Sequence, residues 1–150
     1  MHIALWEPEI PPNTGNIARL CAATDCPLHL IGKLGFQIDD RAVARAGLDY
    51  WHLVTIRHHE SFEQFLSVVG EENIVCIETS TNRNYTTIPF TADTCLLFGN
   101  ESSGLPRTIL ERFAVQTYTI PMPGTGVRSL NLANSASIVL YEGLRQLHGW

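Results

Sequence analysis

The chain contains three segments in which glycine stands beside asparagine, serine, threonine, arginine or glutamate. They span residues 7–19, 96–106 and 120–136. Glycine lets a ligand approach the backbone closely, and amide, hydroxyl and carboxylate side chains supply hydrogen-bond donors and acceptors. This chemistry is typical of a site that binds a nucleoside-containing cofactor through its hydrogen-bonding edges.

In the first segment a strand runs through prolines into a helix that begins near two asparagines. Asn13 or Thr14 alone would cap that helix, since capping needs a single side chain. Asn16 and Arg19 are three residues apart, so both can project from one helix face near its start. Because capping does not explain this second pair, we interpret it as functional.

In the second segment, Gly99 and Gly104 bound a loop between a buried strand and a helix. A tight turn explains both glycines, which permit positive φ or a close approach of a ligand. It does not explain Glu101, the acid between them. Loops that follow the carboxyl ends of parallel strands are where such sheets usually bind ligands.

Within the third segment, residues 124–129 nearly match the GxGxxG pattern of nicotinamide- and flavin-binding folds. That alternative is disfavoured because the third glycine is missing and the pattern closes the chain instead of opening it. Ser129, Asn131 and Asn134 remain at the start of a helix, where they can cap it or bind a ligand.

Short apolar runs alternate with segments of helical period, which predicts one α/β domain, residues 1–150, with a mostly parallel sheet. The predicted strands are Ile3–Trp6, Leu28–Ile31, Leu53–Ile56, Ile74–Ile77, Cys95–Phe98 and Tyr118–Ile120. The predicted helices are Asn16–Ala23, Arg41–Arg45, Phe62–Val69, Leu105–Phe113 and Leu130–Leu147. A parallel sheet would bring all three segments to one edge.

Local signals refine two of these elements. Ser61 and Gln64 predict a capping box at the start of the third helix, and Gly70 predicts its end. The last helix is apolar on several faces, so it must be buried on more than one side. It is either a central core helix or, as we favour, a helix shared between the sheet and a partner subunit.

The composition limits the function. The net charge of −5 argues, taken alone, against a nucleic-acid partner, although Arg41, Arg45, Arg57 and C-terminal basic residues can gather on one face. No apolar run is long enough to span a membrane. The four cysteines form no CxxC pair, which indicates a reducing, cytoplasmic compartment with neither disulfides nor a metal site.

Histidine and tryptophan receive mainly structural interpretations. His58 and His59 are adjacent on a strand and point to opposite faces, and His29 is interpreted as a strand residue that finds its partners locally. Trp51 and Trp150 can stack on a base, but packing is the favoured interpretation of both.

The three segments resemble the three motifs of SpoU-class (SPOUT) RNA 2′-O-methyltransferases, in order and at matching spacing. The short chain and the run Gly47–Tyr50 resemble the group that methylates cytidine or uridine 34 of tRNA. The resemblance implies an α/β fold with helices on both faces and a C-terminal trefoil knot, S-adenosyl-L-methionine as cofactor, a homodimer, and the tRNA anticodon stem-loop as partner.

The resemblance also implies site residues. Those nearest the chemistry are Arg19, Asn13, Ser129 and Asn131. Those that bind the cofactor are Ile77, Gly99, Glu101, Gly104, Ile120, Met122, Ser129 and Leu130. Arg19 is expected to face the partner subunit's cofactor and to bind a phosphate or the developing alkoxide, because arginine stays charged and is a poor base.

Three alternatives stay open. The chain is a methyltransferase for ribosomal RNA or another tRNA position, a knotted RNA-binding protein without catalysis, or a nucleotide-binding α/β protein that does not bind RNA.

Overall fold

The computed structural model describes residues 1–36 and 51–150. Its centre is a six-stranded sheet of order β3-β2-β1-β5-β4-β6, in which every pairing is parallel. The strands are β1 His2–Trp6, β2 Leu28–Ile31, β3 Ile56–His59, β4 Ile74–Ile77, β5 Cys95–Phe98 and β6 Thr117–Tyr118. The α-helices are α1 Pro11–Thr24, α2 Phe62–Val69, α3 Arg107–Arg112 and α4 Leu132–His148. Short 3₁₀ helices cover Trp51–Leu53, Glu71–Asn73, Tyr85–Thr87 and Ala114–Gln116.

Alternate residues of each central strand point into two separate cores. Ile3 and Leu5 pack with α1 and α4, whereas Ala4 packs with α2 and α3 on the opposite face. Strands buried on both faces read as continuous apolar runs, which is why β2, β4 and β5 have the bounds that the sequence predicts. The mostly parallel sheet with helices on both faces is confirmed.

Two predicted strands were wrong in position. The run Leu53–Ile56 is not a strand: Leu53 ends a 3₁₀ helix, and β3 begins at Ile56 and continues through polar residues. A strand at the edge of a sheet can expose polar residues. The strand β3 therefore has no continuous apolar run by which the sequence would show it. The run Tyr118–Ile120 is also displaced, because beyond Tyr118 the backbone pairs with residues 83–85 instead of β4.

The helices differ mainly at their ends. Ser61 caps α2 by accepting from the Gln64 backbone N–H at 3.2 Å, and Gly70 ends it, as predicted. The helix Leu105–Phe113 is shorter, since it begins after Pro106. The predicted helix Arg41–Arg45 and the run Gly47–Tyr50 lie outside the described residues.

The last helix, α4, buries one side under the sheet and against α1. Ala136, Val139 and Leu140 are fully buried. Ile138 and Tyr141 remain 37% and 48% exposed, on faces that the sheet does not cover. Burial of a second side by a partner subunit therefore stays a prediction. Among the residues that the structure describes, no helix is long and apolar enough to cross a membrane.

Candidate functional site: a cavity at the carboxyl edge of the sheet

A cavity of about 530 Å³ opens where β4, β5 and β6 end. The loops after these strands form most of its wall, and the start of α1 and the start of α4 complete it. The lining residues are Ile10, Asn13, Ile77, Glu78, Thr79, Phe98, Gly99, Asn100, Glu101, Ser102, Ser103, Gly104, Thr119, Ile120, Met122, Arg128, Ser129, Leu130, Asn131, Leu132 and Ser135. All three glycine-containing segments contribute to it, as the parallel sheet requires.

The loop after β5 folds back on itself so tightly that its first position must be glycine. A Cβ added to Gly99 would lie 2.1 Å from the carbonyl carbon of Gly104. The Gly104 N–H donates to the Asn100 carbonyl at 3.1 Å, and Gly104 adopts a φ of +70°. Left-handed backbone of this kind costs glycine little. The two glycines therefore make a compact loop whose backbone faces the cavity.

Glu101 joins this loop to the start of α1. Its carboxylate accepts from the backbone N–H of Glu9 at 2.9 Å, the N–H of Ile10 at 3.2 Å and the Asn13 side-chain amide at 2.9 Å. Helix N-termini leave backbone N–H groups without partners and favour a negative charge. Glu101 thus accepts the hydrogen bonds at the start of α1, although it lies 91 residues beyond Ile10 in the chain.

This arrangement corrects the expected cap of α1. The helix begins at Pro11, with Ile10 as N-cap and no side-chain cap from within the segment. Pro11 and Pro12 carry no N–H, so two of the unpartnered donors never exist. Asn13 and Thr14 lie inside the first turn and are buried, instead of preceding it.

Asn13 and Asn131 complete a chain of polar contacts across the three segments. The Asn131 amide donates to the Asn13 carbonyl oxygen at 2.9 Å, and its own oxygen accepts from the backbone N–H of Ala133 at 2.9 Å. Because Asn13 must present its NH₂ to the Glu101 carboxylate, its oxygen necessarily faces Asn131. We call Glu101, Asn13 and Asn131 the amide network.

Ten of the eleven predicted site residues line the cavity, and Arg19 does not. The lining members are Asn13, Ile77, Gly99, Glu101, Gly104, Ile120, Met122, Ser129, Leu130 and Asn131, of which Ser129 was predicted for both roles. Arg19 lies on the exposed side of α1, with Asn16 on the same side. It is six residues beyond Asn13, or about 9 Å along the helix axis.

Sequence reasoning missed two charged residues of the cavity wall. Glu78 follows β4 directly, and its carboxylate accepts from the Leu105 N–H at 3.2 Å and the Thr79 N–H at 2.8 Å. Its place after a buried parallel strand was a usable signal. Arg128 lies in the loop before α4 and brings a permanent positive charge to the rim.

A second group of polar side chains lies within the sheet and does not line the cavity. His29 Nε2 is 3.0 Å from His2 Nδ1, and His29 Nδ1 is 2.9 Å from His59 Nε2. Burial, followed by the neighbouring His2 and His59, lowers the pKa of His29 to about 3. We call these three residues the histidine ladder. His59 is buried and His58 is exposed, so the two opposite faces predicted for them are confirmed. His29 is a strand residue, as predicted, but its partners come from the neighbouring strands β1 and β3, 27 and 30 residues away in the chain.

The cysteines take no part in the site. All four are free and buried, with Cys76 in β4 and Cys95 in β5 as predicted. Burial raises the pKa of the Cys76 thiol to about 12, which keeps it protonated and unreactive. Within residues 1–36 and 51–150, no group of three histidine, cysteine or acidic side chains is placed to hold a metal ion.

The fold and the cavity together define a parallel α/β protein with a ligand-sized cavity at the carboxyl edge of its sheet. The chain matches the model of the SpoU rRNA Methylase family over residues 1–141. A tRNA (cytidine(34)-2′-O)-methyltransferase from Yersinia pestis is 44% identical to it, with 98% of this chain and 94% of that relative covered. This chain belongs to the SpoU rRNA Methylase family, which confirms the predicted family.

Solved structures agree with this membership. One, described as giving structural insights into the 2-OH methylation of C/U34 on tRNA, has a TM-score of 0.90 and 44% identity, and covers 99% of this chain and 97% of its own. An AdoMet-bound rRNA methyltransferase from Sinorhizobium meliloti has a TM-score of 0.84 and 29% identity, and covers 97% of this chain and 56% of its own.

Proposed function

We propose that this protein transfers the methyl group of S-adenosyl-L-methionine to the ribose 2′-hydroxyl of nucleotide 34, a cytidine or uridine, in tRNA. The observation that carries the proposal is the amide network, which joins all three family motifs at one cavity. The 44% identity to the Yersinia pestis enzyme over nearly the whole chain supports the choice of substrate.

The residues of the cavity fit this cofactor. A volume of about 530 Å³ lies within the roughly 300–1,000 Å³ of typical ligand pockets. Backbone groups around Gly99, Gly104 and Leu130 would meet the adenosine, and Ile77, Ile120 and Met122 would supply apolar contact. The Glu78 carboxylate accepts two backbone N–H groups and keeps lone pairs for a cation or a hydroxyl.

The cofactor supplies a sulfonium methyl, which is already a good electrophile. The protein must align the attacking ribose oxygen and help it lose its proton. Asn13, Ser129 and Asn131 orient the ribose, and such positioning supplies as much as about 7–11 kcal/mol in favourable cases. Arg19 binds a phosphate or stabilises the developing alkoxide, since its guanidinium stays charged.

We further propose that the active unit is a homodimer. Arg19 lies outside the cavity of its own chain, and a partner would bring it to the other cavity. On α4, Ile138 and Tyr141 are 37% and 48% exposed, and because they are three residues apart they share one helix face, an apolar surface suited to a second copy. The same proposal includes a C-terminal trefoil knot and a cytoplasmic location. It also includes binding of the tRNA through its anticodon stem-loop.

A labelled methyl-transfer assay tests this function. The protein is incubated with S-adenosyl-L-methionine and unmodified bulk tRNA, and nuclease digestion with mass spectrometry locates the product. We expect a 2′-O-methylpyrimidine at position 34, and no product when that nucleotide carries a 2′-deoxyribose. Label at another position or in ribosomal RNA would keep the enzyme class and reject the site.

The same assay separates the remaining alternatives. Cofactor binding by calorimetry, with no label in any RNA, would favour a knotted RNA-binding protein without catalysis. A nucleotide-binding protein that does not bind RNA would show no salt-dependent affinity for tRNA, whereas contacts to phosphates impose a steep salt dependence. The net charge of −5 makes this second measurement worth including.

A further inference from the structure

Glu9 and Glu101 exchange hydrogen bonds between the first and second motifs. The Glu101 carboxylate accepts from the backbone N–H of Glu9, and the Glu9 carboxylate accepts from the backbone N–H of Ser102 at 3.2 Å and from the Ser102 hydroxyl. Glu101 therefore binds the backbone of Glu9, 92 residues away, and Glu9 binds the backbone of the residue that follows Glu101, 93 residues away. We call this reciprocal pair the carboxylate clasp.

The backbone of Glu9 is also held from the side of β2. The Gly35 N–H donates to the Pro8 carbonyl at 2.9 Å, and a Cβ on Gly35 would lie 2.8 Å from Glu9 Cα. The main chain at Glu9 thus has neighbours on two sides, while its side chain reaches across to the loop after β5. A clasp on so constrained a backbone fixes distance and direction between the two loops.

The clasp is poorly suited to a purely stabilising role. Glu9 and Ser102 are both exposed, and hydrogen bonds or ion pairs between exposed groups contribute little to stability, since solvent competes with them. Their geometry matters more than their strength. Ser102 borders the cavity, and Glu101 faces both the start of α1 and Asn13.

We propose that Glu9 is a positioning residue for methyl transfer, because the carboxylate clasp fixes the loop after β5 against the start of α1. The proposal rests on the function proposed above. Through Glu101 the clasp sets the direction of Asn13, and through the axis of α1 it sets Arg19. A cofactor that orders Ser102 and its neighbours would thereby also align the helix that faces the RNA, and by linkage RNA binding would tighten cofactor binding equally.

Four variants of the full-length protein test this inference. Glu9→Ala removes the carboxylate, Glu9→Gln keeps one acceptor oxygen without the charge, and Ser102→Ala removes one donor. Glu60→Gln, at an exposed acid that does not line the cavity, is the matched control for charge. For each variant we would measure the melting temperature, the affinity for S-adenosylhomocysteine by calorimetry and the single-turnover rate on tRNA.

We expect Glu9→Ala to lower the single-turnover rate at saturating cofactor about tenfold, the effect of losing a hydrogen bond to a charged group. S-adenosylhomocysteine should bind more weakly, and the melting temperature should stay within about 2 °C of the wild type. Glu9→Gln should recover part of the rate. The double variant Glu9→Ala/Ser102→Ala should be no slower than Glu9→Ala, since the two groups act as one.

Unchanged rate and unchanged affinity in Glu9→Ala would overturn the inference. A loss of melting temperature with a normal rate per folded molecule would also reject it, in favour of a structural role. Should Glu9→Ala not fold, Ser102→Ala answers the same question. If the wild type does not methylate tRNA, the proposed substrate is rejected. The carboxylate clasp would then be tested by the affinities of the variants for S-adenosylhomocysteine alone.

Discussion

The amide network and the histidine ladder are built from similar parts and behave differently. Each links three side chains from separate elements by hydrogen bonds of about 3 Å. In the amide network the Glu101 carboxylate can only accept, so every donor along the chain has one direction. In the histidine ladder each neutral ring can donate from either nitrogen, so the whole row has two equivalent arrangements of its protons.

This difference shows what a charge does for a chain of hydrogen-bonded side chains. A permanent acceptor at one end leaves Asn13 and Asn131 a single orientation, which suits groups that must hold a substrate. The histidine ladder has no such end within the sheet, and burial keeps its members neutral. It satisfies buried polar groups and makes the fold sensitive to acid, because an added proton turns an acceptor into a donor.

The largest effect on cofactor binding is expected from a change in the loop that carries Glu101. Gly99→Ala would place a methyl group 2.1 Å from the Gly104 carbonyl carbon, so the loop must open and the cavity wall must move. We expect the affinity for S-adenosylhomocysteine, measured by calorimetry, to fall at least about a hundredfold. Each lost contact of about 1.4 kcal/mol weakens binding tenfold, and opening the loop would remove more than one contact.

Gly126→Ala is the matched control, because no atom of residues 1–36 or 51–150 lies within 4 Å of a Cβ at that position. Its affinity should stay within about twofold of the wild type, well under the 1.4 kcal/mol that a tenfold change requires. Equal losses in both variants would mean that the cofactor is held by the loop before α4, and that the compact loop after β5 is incidental.

The next effect is expected within the amide network itself. Asn131→Ala removes the donor to Asn13 and the cap of α4 together, whereas Asn131→Asp keeps the cap, loses the donor and adds a negative charge. We expect Asn131→Asp to lower the single-turnover rate about ten- to a hundredfold, because it sets two oxygens against each other in a partly buried site. A rate equal to that of the wild type would show that the direction of Asn13 does not matter to the reaction.

The third effect concerns the stability of the fold against acid. The folded pKa of His2, His29 and His59 lies below the ordinary value of 6.5, mainly because of burial, and His29 reaches about 3. The positive charge of Arg57 opposes protonation of all three histidines. The N-terminus adds to this effect at His2, and His58 adds to it at His59. The negative charge of Asp93 favours protonation of His2. Below pH 6.5 these histidines are protonated in the unfolded chain and stay neutral in the folded chain, so acid favours unfolding.

The free energy of unfolding should therefore be level above about pH 7 and fall as the pH drops below 6.5, by as much as about 1.4 kcal/mol per pH unit for each fully coupled group. Denaturant titrations at pH 7.5, 6.0 and 5.0 would measure it. His29→Asn should flatten the profile, and the exposed His58→Asn should not. A wild type equally stable at all three pH values would contradict the neutral ladder.

The smallest effect is the one expected of the histidine ladder on catalysis. At pH 7.5 His59→Asn should leave the rate per folded molecule within about twofold, under the tenfold that 1.4 kcal/mol would give, since no member of the ladder lines the cavity. A tenfold loss would mean that the ladder and the amide network are coupled through the sheet, and the distinction between them would fail.

The sequence predicted what local patterns encode. The strands Leu28–Ile31, Ile74–Ile77 and Cys95–Phe98 were predicted with their observed bounds because both faces of each are buried. The residues of the cavity wall were predicted because the three family motifs lie where β1, β5 and β6 end. The edge strand β3 was misplaced because it carries arginine and histidine where an apolar run was sought.

The features that remained hidden depend on contacts between distant segments. Nothing within residues 7–19 shows that Glu101 will serve the start of α1, so the helix was predicted to begin five residues late. Neither the carboxylate clasp nor the histidine ladder has a sequence signature, since their members are at least 27 residues apart. Glu78 is the exception, because its position directly after a predicted strand was visible.

The pair of prolines at the start of α1 has a consequence for how the chain folds. With prolines at its first two positions α1 has no local side-chain cap, and the acceptor for the N–H groups of Glu9 and Ile10 just before it is Glu101, which a ribosome adds some 90 residues later. At about 5–20 residues per second, the nascent helix would wait several seconds for it. Closing so long a loop is entropically slow, so we expect the first turn of α1 to form after the folding transition state, with φ values near zero at Thr14. The segment that holds the first motif would then be among the last parts of the domain to reach its native shape.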